Sequence, residues 1–238
     1  MKSVLISIQP KWVEKIASGK KTIEVRKSRP KLETPFKCYI YATRPKKWFR
    51  FSDWGYASDE NLWLSNGKVK MCDGFEFWAD GIKYEPLCGK VIGEFVCDKI
   101  YDLFPFGMGT GIELLDELVS PEMFCKESCL TEQEICDYIG EKDGYGWHIS
   151  DLKIYDKPKE LSEFIKPYKY DGDGLRCCAK EELEDIYEWD CETLFKNKYP
   201  NFDFENCKCE DCPKAKDFYR LTRPPQSWCY VENGVQCE

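Results

Sequence analysis

Between Ser3 and Arg26 the hydrophobic period of the chain changes twice, and this double switch constrains the fold more than any other feature. Val4, Ile6 and Ile8 alternate with Leu5 and Ser7, the period of a strand. Pro10 then stands where a helix favours proline, at its first position. Trp12, Val13, Ile16 and Ala17 follow at helical spacing, and Gly19 supplies a stop. The run KKTIEVR alternates again and predicts a second strand ending at Arg26. Strand, short helix and strand in quick succession suit a small sheet with a helix packed across its opening.

Further along, Cys38 to Ala42 is a third strand candidate, and Lys90 to Ile100 is the longest, with Gly93 marking a bulge or bend. GIELLDELV reads as a helix. Thr131 to Ile139 reads as a stronger one: Thr131 and Glu134 form a capping box, Ile135, Tyr138 and Ile139 supply a face, and Gly140 ends it. Trp147 to Tyr155 returns to strand character, and Trp228 to Val231 is a short terminal strand behind Pro224 and Pro225. The expectation is an α+β fold, a small twisted β-barrel with packed helices. Residues 48–88 and 170–217 do not fit that core and read as two insertions in surface connections.

Hydrophobic residues at 42% and charged residues at 33% make a real core affordable. A formal net charge of −8 argues against a protein that coats nucleic acid non-specifically, but not against a local basic site. The charges are sorted: 11–50 is rich in Lys and Arg, and 180–211 is acidic. No stretch approaches the length of a membrane span and no signal-peptide core follows Met1, which predicts a cytoplasmic protein with reduced thiols and no membrane partner. Fifteen cysteines, an odd number, disfavour a complete disulfide framework. Those at 38, 88, 97, 125, 129, 136 and 229 sit among apolar neighbours and read as small core residues.

Strand alternation puts Lys21, Ile23 and Val25 on one side and Thr22, Glu24 and Arg26 on the other, although Lys21, at the strand's entry, can curl its stem over the opening. Glu24 and Arg26 can form a structural ion pair. They can also hold a polar ligand together, Arg26 on a phosphate or base edge and Glu24 on an exocyclic amine. Lys21 is either a solvated surface lysine or a buried one, whose lowered pKa would suit a base or nucleophile. Lys20, Lys27, Arg29, Lys31, Arg44, Lys46, Lys47 and Arg50, interleaved with Trp48, Phe49 and Phe51, form a tract suited to single strands or simply a solvated loop.

His148, the only histidine, can serve as one general acid or base. In GYGWHIS the glycines allow close approach of a ligand, and Tyr145 or Trp147 could stack on a base; the plainer alternative is a half-buried strand histidine. Ser227 and Trp228 follow the rigid diproline, where Trp228 reads as packing. Cys207, Cys209 and Cys212 lie within six residues and suit a structural zinc if Cys177, Cys178 or Cys191 supplies a fourth thiolate; free or redox-sensitive thiols are the alternative.

GKKTIEVR, with Gly19, Lys21, Glu24 and Arg26, resembles the signature of the ASCH family in the PUA-like superfamily. The resemblance continues through GKVIGEF, the helix after Cys129, GYGWHISDLKIYDKPKELSEF and LTRPPQSWCYV, and so covers about two-thirds of the chain. The last two segments look like a subgroup common in phages, prophages and low-GC Gram-positive bacteria. The resemblance implies a PUA-like barrel and RNA-related partners; some relatives are ribonucleases of single-stranded RNA, and small ones are amidohydrolases of acetylcytidine. In the latter a lysine acts with a threonine three residues later and a distal glutamate. Lys21 matches the lysine and Glu127 the glutamate, but the threonine position holds Glu24, with Thr22 nearby.

The domain reading is therefore an ASCH domain over 1–169 with an insertion at about 48–88, an acidic Cys-rich insertion over 170–217, and a closing strand and tail over 218–238. Three functions follow. The first is binding of RNA or a modified nucleoside at Lys21, Thr22, Glu24, Arg26, Tyr145, Trp147 and Ser227. The second is a hydrolase at the same groove, a ribonuclease or amidohydrolase using Lys21, Glu24, His148 and Glu127. The third is a phage-encoded module whose insertions bind a host protein.

Overall fold

The computed structural model of the chain describes residues 2–44, 87–109, 111–116, 118–167 and 219–232, together with 201, 216 and 217. For Lys2, Met108 and the short strands between 49 and 84 and between 170 and 175 it gives the backbone alone. The chain divides into two compact units. One comprises Ser3–Leu161 with Pro224–Cys229, and the other comprises Met1–Lys2, Ser162–Arg223 and Tyr230–Glu238.

The first unit opens with β1 (Lys2–Ile8), α1 (Pro10–Ala17), β2 (Ile23–Arg26) and β3 (Phe36–Ala42). Pro10 sits in the first turn of α1, and Val13, Ile16 and Ala17 are buried along one stripe. Gly19 adopts φ +73°, so the helix ends where a residue without a Cβ permits the left-handed turn. Three two-stranded hairpins follow: β4 (Phe49–Phe51) with β5 (Gly55–Ala57), β6 (Leu62–Trp63) with β7 (Lys70–Met71), and β8 (Phe77–Ala79) with β9 (Ile82–Tyr84).

The remaining elements of this unit are β10 (Val91–Cys97), β11 (Ile100–Phe106), β12 (Gly111–Leu114), α2 (Pro121–Ser128), α3 (Glu132–Ile139), β13 (Gly144–His148) and β14 (Ser150–Lys159). Gly93 marks a register shift in β10, as expected, and a Cβ there would meet the Lys153 carbonyl at 2.5 Å. α3 carries the full capping box, with Thr131 and Glu134 bonding reciprocally.

With β17 (Trp228–Glu232), the strands form a five-stranded sheet in the order β14-β10-β3-β1-β17 and a four-stranded sheet in the order β12-β11-β13-β2. β1 and β3 are parallel, whereas β10 is antiparallel to both its neighbours. The architecture is mixed α+β, but the expected closed barrel is corrected: no strand pairing closes the two sheets into a ring among the described residues. Instead the chain turns a corner twice, from β10 into β11 and from β13 into β14. His148 N donates to Lys99 O at 2.9 Å, and Ser150 Oγ to Val96 O at 2.9 Å. Beyond β2 a helix end takes up the backbone, Thr22 N donating to Glu127 O of α2 at 2.9 Å.

Residues 111–114 of the expected GIELLDELV helix are a strand instead. β12 pairs with β11 and buries Ile112, while Leu115 and Leu118 are 69% and 89% exposed. A helix there would have required all those leucines to share one buried face. The helix α2 follows, capped by Ser120, whose side chain accepts from Met123 N, with Pro121 in its first turn. Phe124 of α2 and Ile135, Cys136 and Ile139 of α3 close over Ile23, Val25, Tyr101 and Leu103 to make a core cluster.

In the second unit, β15 (Tyr170–Asp171) pairs with β16 (Gly174–Leu175), and Ile165 bridges antiparallel to Arg220 and Glu232. Phe164, Ile165, Tyr219, Leu221 and Val231 are buried there. Cys177, Cys178, Cys191, Cys207, Cys209 and Cys212, and with them the proposed zinc ligands, lie outside the described residues, as does the rest of the acidic stretch 180–211 except Asn201. The same holds for Lys46, Lys47 and Trp48 and for the side chains of Phe49, Arg50 and Phe51.

Candidate functional site

β2 is buried at all four positions, yet only half of it is apolar. Its pairing with β13 matches Tyr145 to Arg26, Gly146 to Val25, Trp147 to Glu24 and His148 to Ile23. Alternation therefore puts Ile23, Val25 and Gly146 on one face of this ribbon, and Glu24, Arg26, Tyr145 and Trp147 on the other. The first face meets α2 and α3. The second is the candidate site.

Lys21 joins that face by a route that simple alternation does not give. The strand begins at Ile23, not at Lys20, because Lys21 N is taken by Lys15 O at 3.0 Å and Thr22 N by Glu127 O. Freed from the pleat, Lys21 sends its side chain to Glu24, three residues on, with Nζ 3.5 Å from Oε2. The same ammonium donates to Ser128 O at the C-terminal end of α2 at 2.5 Å, where the helix dipole is negative. Arg26 closes the other side, its guanidinium 3.0 Å from Glu24 Oε1 and donating to Ser7 O at 2.6 Å and to Ser227 Oγ at 3.3 Å.

These groups are sealed. Lys21 is 2% exposed, and Glu24 and Arg26 are each 6% exposed. Burial pulls the Lys21 ammonium below its ordinary pKa, with the Glu24 carboxylate and the Cys129 thiol working against that shift. One carboxylate faces two cations, so the cluster carries excess positive charge. It also carries excess donors: Arg26 Nε and Trp147 Nε1 are both buried without a hydrogen-bond partner among the described residues. Both lie on the ionic face of one ribbon.

Of the other expected site residues, Ser227 joins the cluster. Its carbonyl also accepts from Ser7 N at 2.8 Å, while Ser7 Oγ donates to Pro225 O at 2.7 Å. Thr22 serves through its backbone, its carbonyl accepting from Ile149 N at 2.8 Å. Tyr145 is half-buried beneath the Arg29 guanidinium. Trp147 is fully enclosed, edge-on to Phe36 and tilted against Trp228, with each ring 5.9 Å away. Its indole is thus a wall with a donor, not an open stacking platform. Trp228 packs as expected and donates from Nε1 to Ser28 Oγ at 3.1 Å.

His148 does not converge on this cluster. It occupies the opposite face of β13, at the corner between the sheets, with Nδ1 2.6 Å from Asp98 Oδ1. Burial pushes the Asp98 carboxyl up, but the hydrogen bond and charge of His148, together with hydrogen bonds from Ser150 and the Asp98 backbone, outweigh it in sum and leave the pKa lowered. Glu127 contributes its carbonyl to Thr22, and no ion pair joins its carboxylate to Lys21 among the described residues. No group of His, Cys, Asp and Glu among the described residues is arranged to hold a metal.

Sequence reasoning missed the carbonyls of Ser7 and Ser128 and the ring of Trp12, which lies 5.1 Å from Lys21 Nζ. Backbone acceptors leave no trace in residue type. On the outer side, an open depression of about 690 Å³ lies at the elbow of α2 and α3, with Cys125, Cys129 and Thr131 in its wall. Cys129 Sγ donates to Lys20 O at 3.3 Å, one residue from Lys21.

An ASCH protein from Zymomonas mobilis is similar in structure at 18% identity and TM-score 0.39, over 83% of this chain and 94% of the other. A tyrosine-to-phenylalanine variant named from the same organism aligns at 17% identity and TM-score 0.39, over 85% and 100%. A serine-to-alanine variant aligns at 17% and TM-score 0.38, over 83% and 95%. Among curated proteins none matches this chain. Residues 6–67, the segment that contributes α1, β2, β3 and all of Lys21, Glu24 and Arg26, match the ASCH domain family.

Proposed function

We propose that this chain binds RNA or a modified nucleoside at the Lys21–Glu24–Arg26 cluster, on opening of the enclosure that buries these groups in the free protein. The observation that carries the reading is the surplus of buried donors. Among the described residues Arg26 Nε and Trp147 Nε1 have no acceptor, and two cations share one carboxylate. A buried donor left unmade costs about 1–3 kcal/mol, so a fold that keeps two together is better matched to a ligand rich in acceptors. Base carbonyls, ring nitrogens and phosphate oxygens are such acceptors, and Glu24 can take an exocyclic amine. The match of residues 6–67 to a family often associated with RNA supports the same choice.

The test is binding of fluorescently labelled short single-stranded RNA, and of nucleosides by calorimetry, to wild type, Arg26→Ala and Arg26→Lys. Arg26→Ala should lose at least about tenfold in affinity, or ~1.4 kcal/mol. Arg26→Lys, which keeps charge but not the planar fork, should fall between the two. Wild-type affinity in a folded Arg26→Ala protein would defeat the reading.

One observation favours a hydrolase as the second reading: burial lowers the Lys21 pKa, which brings the neutral amine of a base or nucleophile closer to reach. Turnover of acetylated cytidine or single-stranded RNA that disappears in Lys21→Ala, while ligand still binds, would establish it. Binding without turnover in wild type leaves the first reading alone.

A further inference from the structure

Three ammonium groups crowd one indole. Lys11 Nζ and Lys15 Nζ each lie 4.8 Å from the centroid of the Trp12 ring, and Lys21 Nζ lies 5.1 Å from it. None is therefore more than about 10 Å from either of the others, about one Debye length at 0.1 M salt. An aromatic face attracts a single cation well. A second and third on the same ring gain from the indole but repel one another, so the ring alone does not account for the arrangement.

The local sequence makes that repulsion worse. Lys11 and Lys15 stand four residues apart on α1, where like charges oppose the helix, and no acid occupies its first turn. Glu14 projects from another side of the cylinder than Trp12. Among the described residues, the acids that reach these lysines are already engaged. Glu134 acts electrostatically on Lys11 and Lys15, but its Oε2 accepts from Thr131 N at 2.8 Å and from Thr131 Oγ1 at 2.9 Å at the start of α3. Glu24, beside Lys21, is shared with Arg26. Lys11 is exposed and Lys15 and Trp12 are half-buried, whereas Lys21 is enclosed. The cations thus run from the surface inward to the buried cluster.

We infer that Lys11, Trp12 and Lys15, with Lys21 beneath them, form a seat for a phosphate group. The ligand is then a phosphorylated one, a nucleotide or an RNA strand, rather than a free nucleoside. The choice of ligand rests on the reading of the Lys21–Glu24–Arg26 cluster as a base or nucleoside site; the phosphate seat itself stands on the lysines alone. An anion there satisfies the Lys11 and Lys15 ammoniums at once and draws them off the indole, which leaves the ring face for a neighbouring base.

The test uses the full chain in low salt and compares inorganic phosphate, four nucleosides, their 5′-monophosphates and a single-stranded hexaribonucleotide by calorimetry. Wild type should bind the monophosphates at least tenfold more tightly than the parent nucleosides. Lys11→Gln/Lys15→Gln, changed at the helix surface and checked for fold by circular dichroism, should bring that ratio close to one and abolish binding of inorganic phosphate. A hexaribonucleotide that binds more tightly than the monophosphates identifies an internal phosphodiester as the occupant, and the reverse order identifies a terminal monoester. Equal affinity for nucleosides and monophosphates in wild type, or a ratio untouched by the double variant, overturns the seat and leaves the cluster reading standing. Phosphate binding that the double variant loses, with no nucleoside bound by either protein, upholds the seat and removes that cluster reading.

Discussion

The two faces of the β2–β13 ribbon are equally buried and chemically opposite. On one, Ile23, Val25 and Gly146 meet Phe124 of α2, and a Cβ on Gly146 would stand 2.4 Å from the Phe124 ring. On the other, Glu24, Arg26 and Trp147 meet one another and the Lys21 ammonium. The apolar face gains free energy from every surface it removes from water. The ionic face gives up hydration of three charges and recovers it only through their mutual attraction and a few carbonyls. Stability explains the first face. On the proposed reading, the second is explained by something it holds.

That contrast can be broken in order of expected effect. Glu24→Ala removes the carboxylate between two buried cations and should destabilise the protein by about 3–5 kcal/mol in urea unfolding. A loss under about 1 kcal/mol would mean that water already reaches the cluster. Replacing all three charges with apolar residues, Lys21→Met, Glu24→Leu and Arg26→Met, should leave stability unchanged or raise it by about 1–4 kcal/mol while abolishing ligand binding. A collapse of the triple variant would instead make the cluster a structural necessity. Gly146→Ala tests the apolar face, where overpacking against Phe124 should cost about 1–3 kcal/mol and leave affinity nearly intact.

Smaller effects sharpen the same comparison. The lowered Lys21 pKa means that the folded chain holds fewer protons than the unfolded chain between the folded value and the ordinary 10.5. Its contribution is fully present above 10.5 and is lost as pH falls through the folded value. Thermal midpoints of wild type relative to Lys21→Met should therefore rise with pH across that window. At the sheet corner the Asp98 pKa is lowered, so its contribution is present above 3.8 and disappears as pH falls through the lower folded value. Both side chains of that pair are partly exposed, and His148→Gln should cost under about 1 kcal/mol and leave ligand affinity unchanged.

How much of this was legible in the sequence follows from which interactions are local. The proline start and glycine stop of α1 and the capping box of α3 depend on neighbours three or four residues away, and each formed as read. Glu24 and Arg26 share a strand face two residues apart, so their pairing was also readable. Lys21 reaches the cluster through backbone bonds to Lys15 and Glu127, the latter supplied by a helix about a hundred residues away, and alternation placed its side chain on the wrong face. The segment 111–118 carries leucines at helical spacing, but pairing with β11 decided its first four residues. Among the described residues the pair of sheets stays open, in place of a ring, and this follows from corners at Asp98 and Ile149 that no residue type announces.

The account is tested most directly at the Trp147 indole. In a ¹H–¹⁵N spectrum of the full chain, with this resonance assigned through Trp147→Phe, titration with a nucleoside monophosphate or short single-stranded RNA should move the Nε1–H peak strongly downfield, because the buried donor gains an acceptor. Saturable binding that shifts other indole peaks and leaves this one in place would put the ligand elsewhere on the molecule.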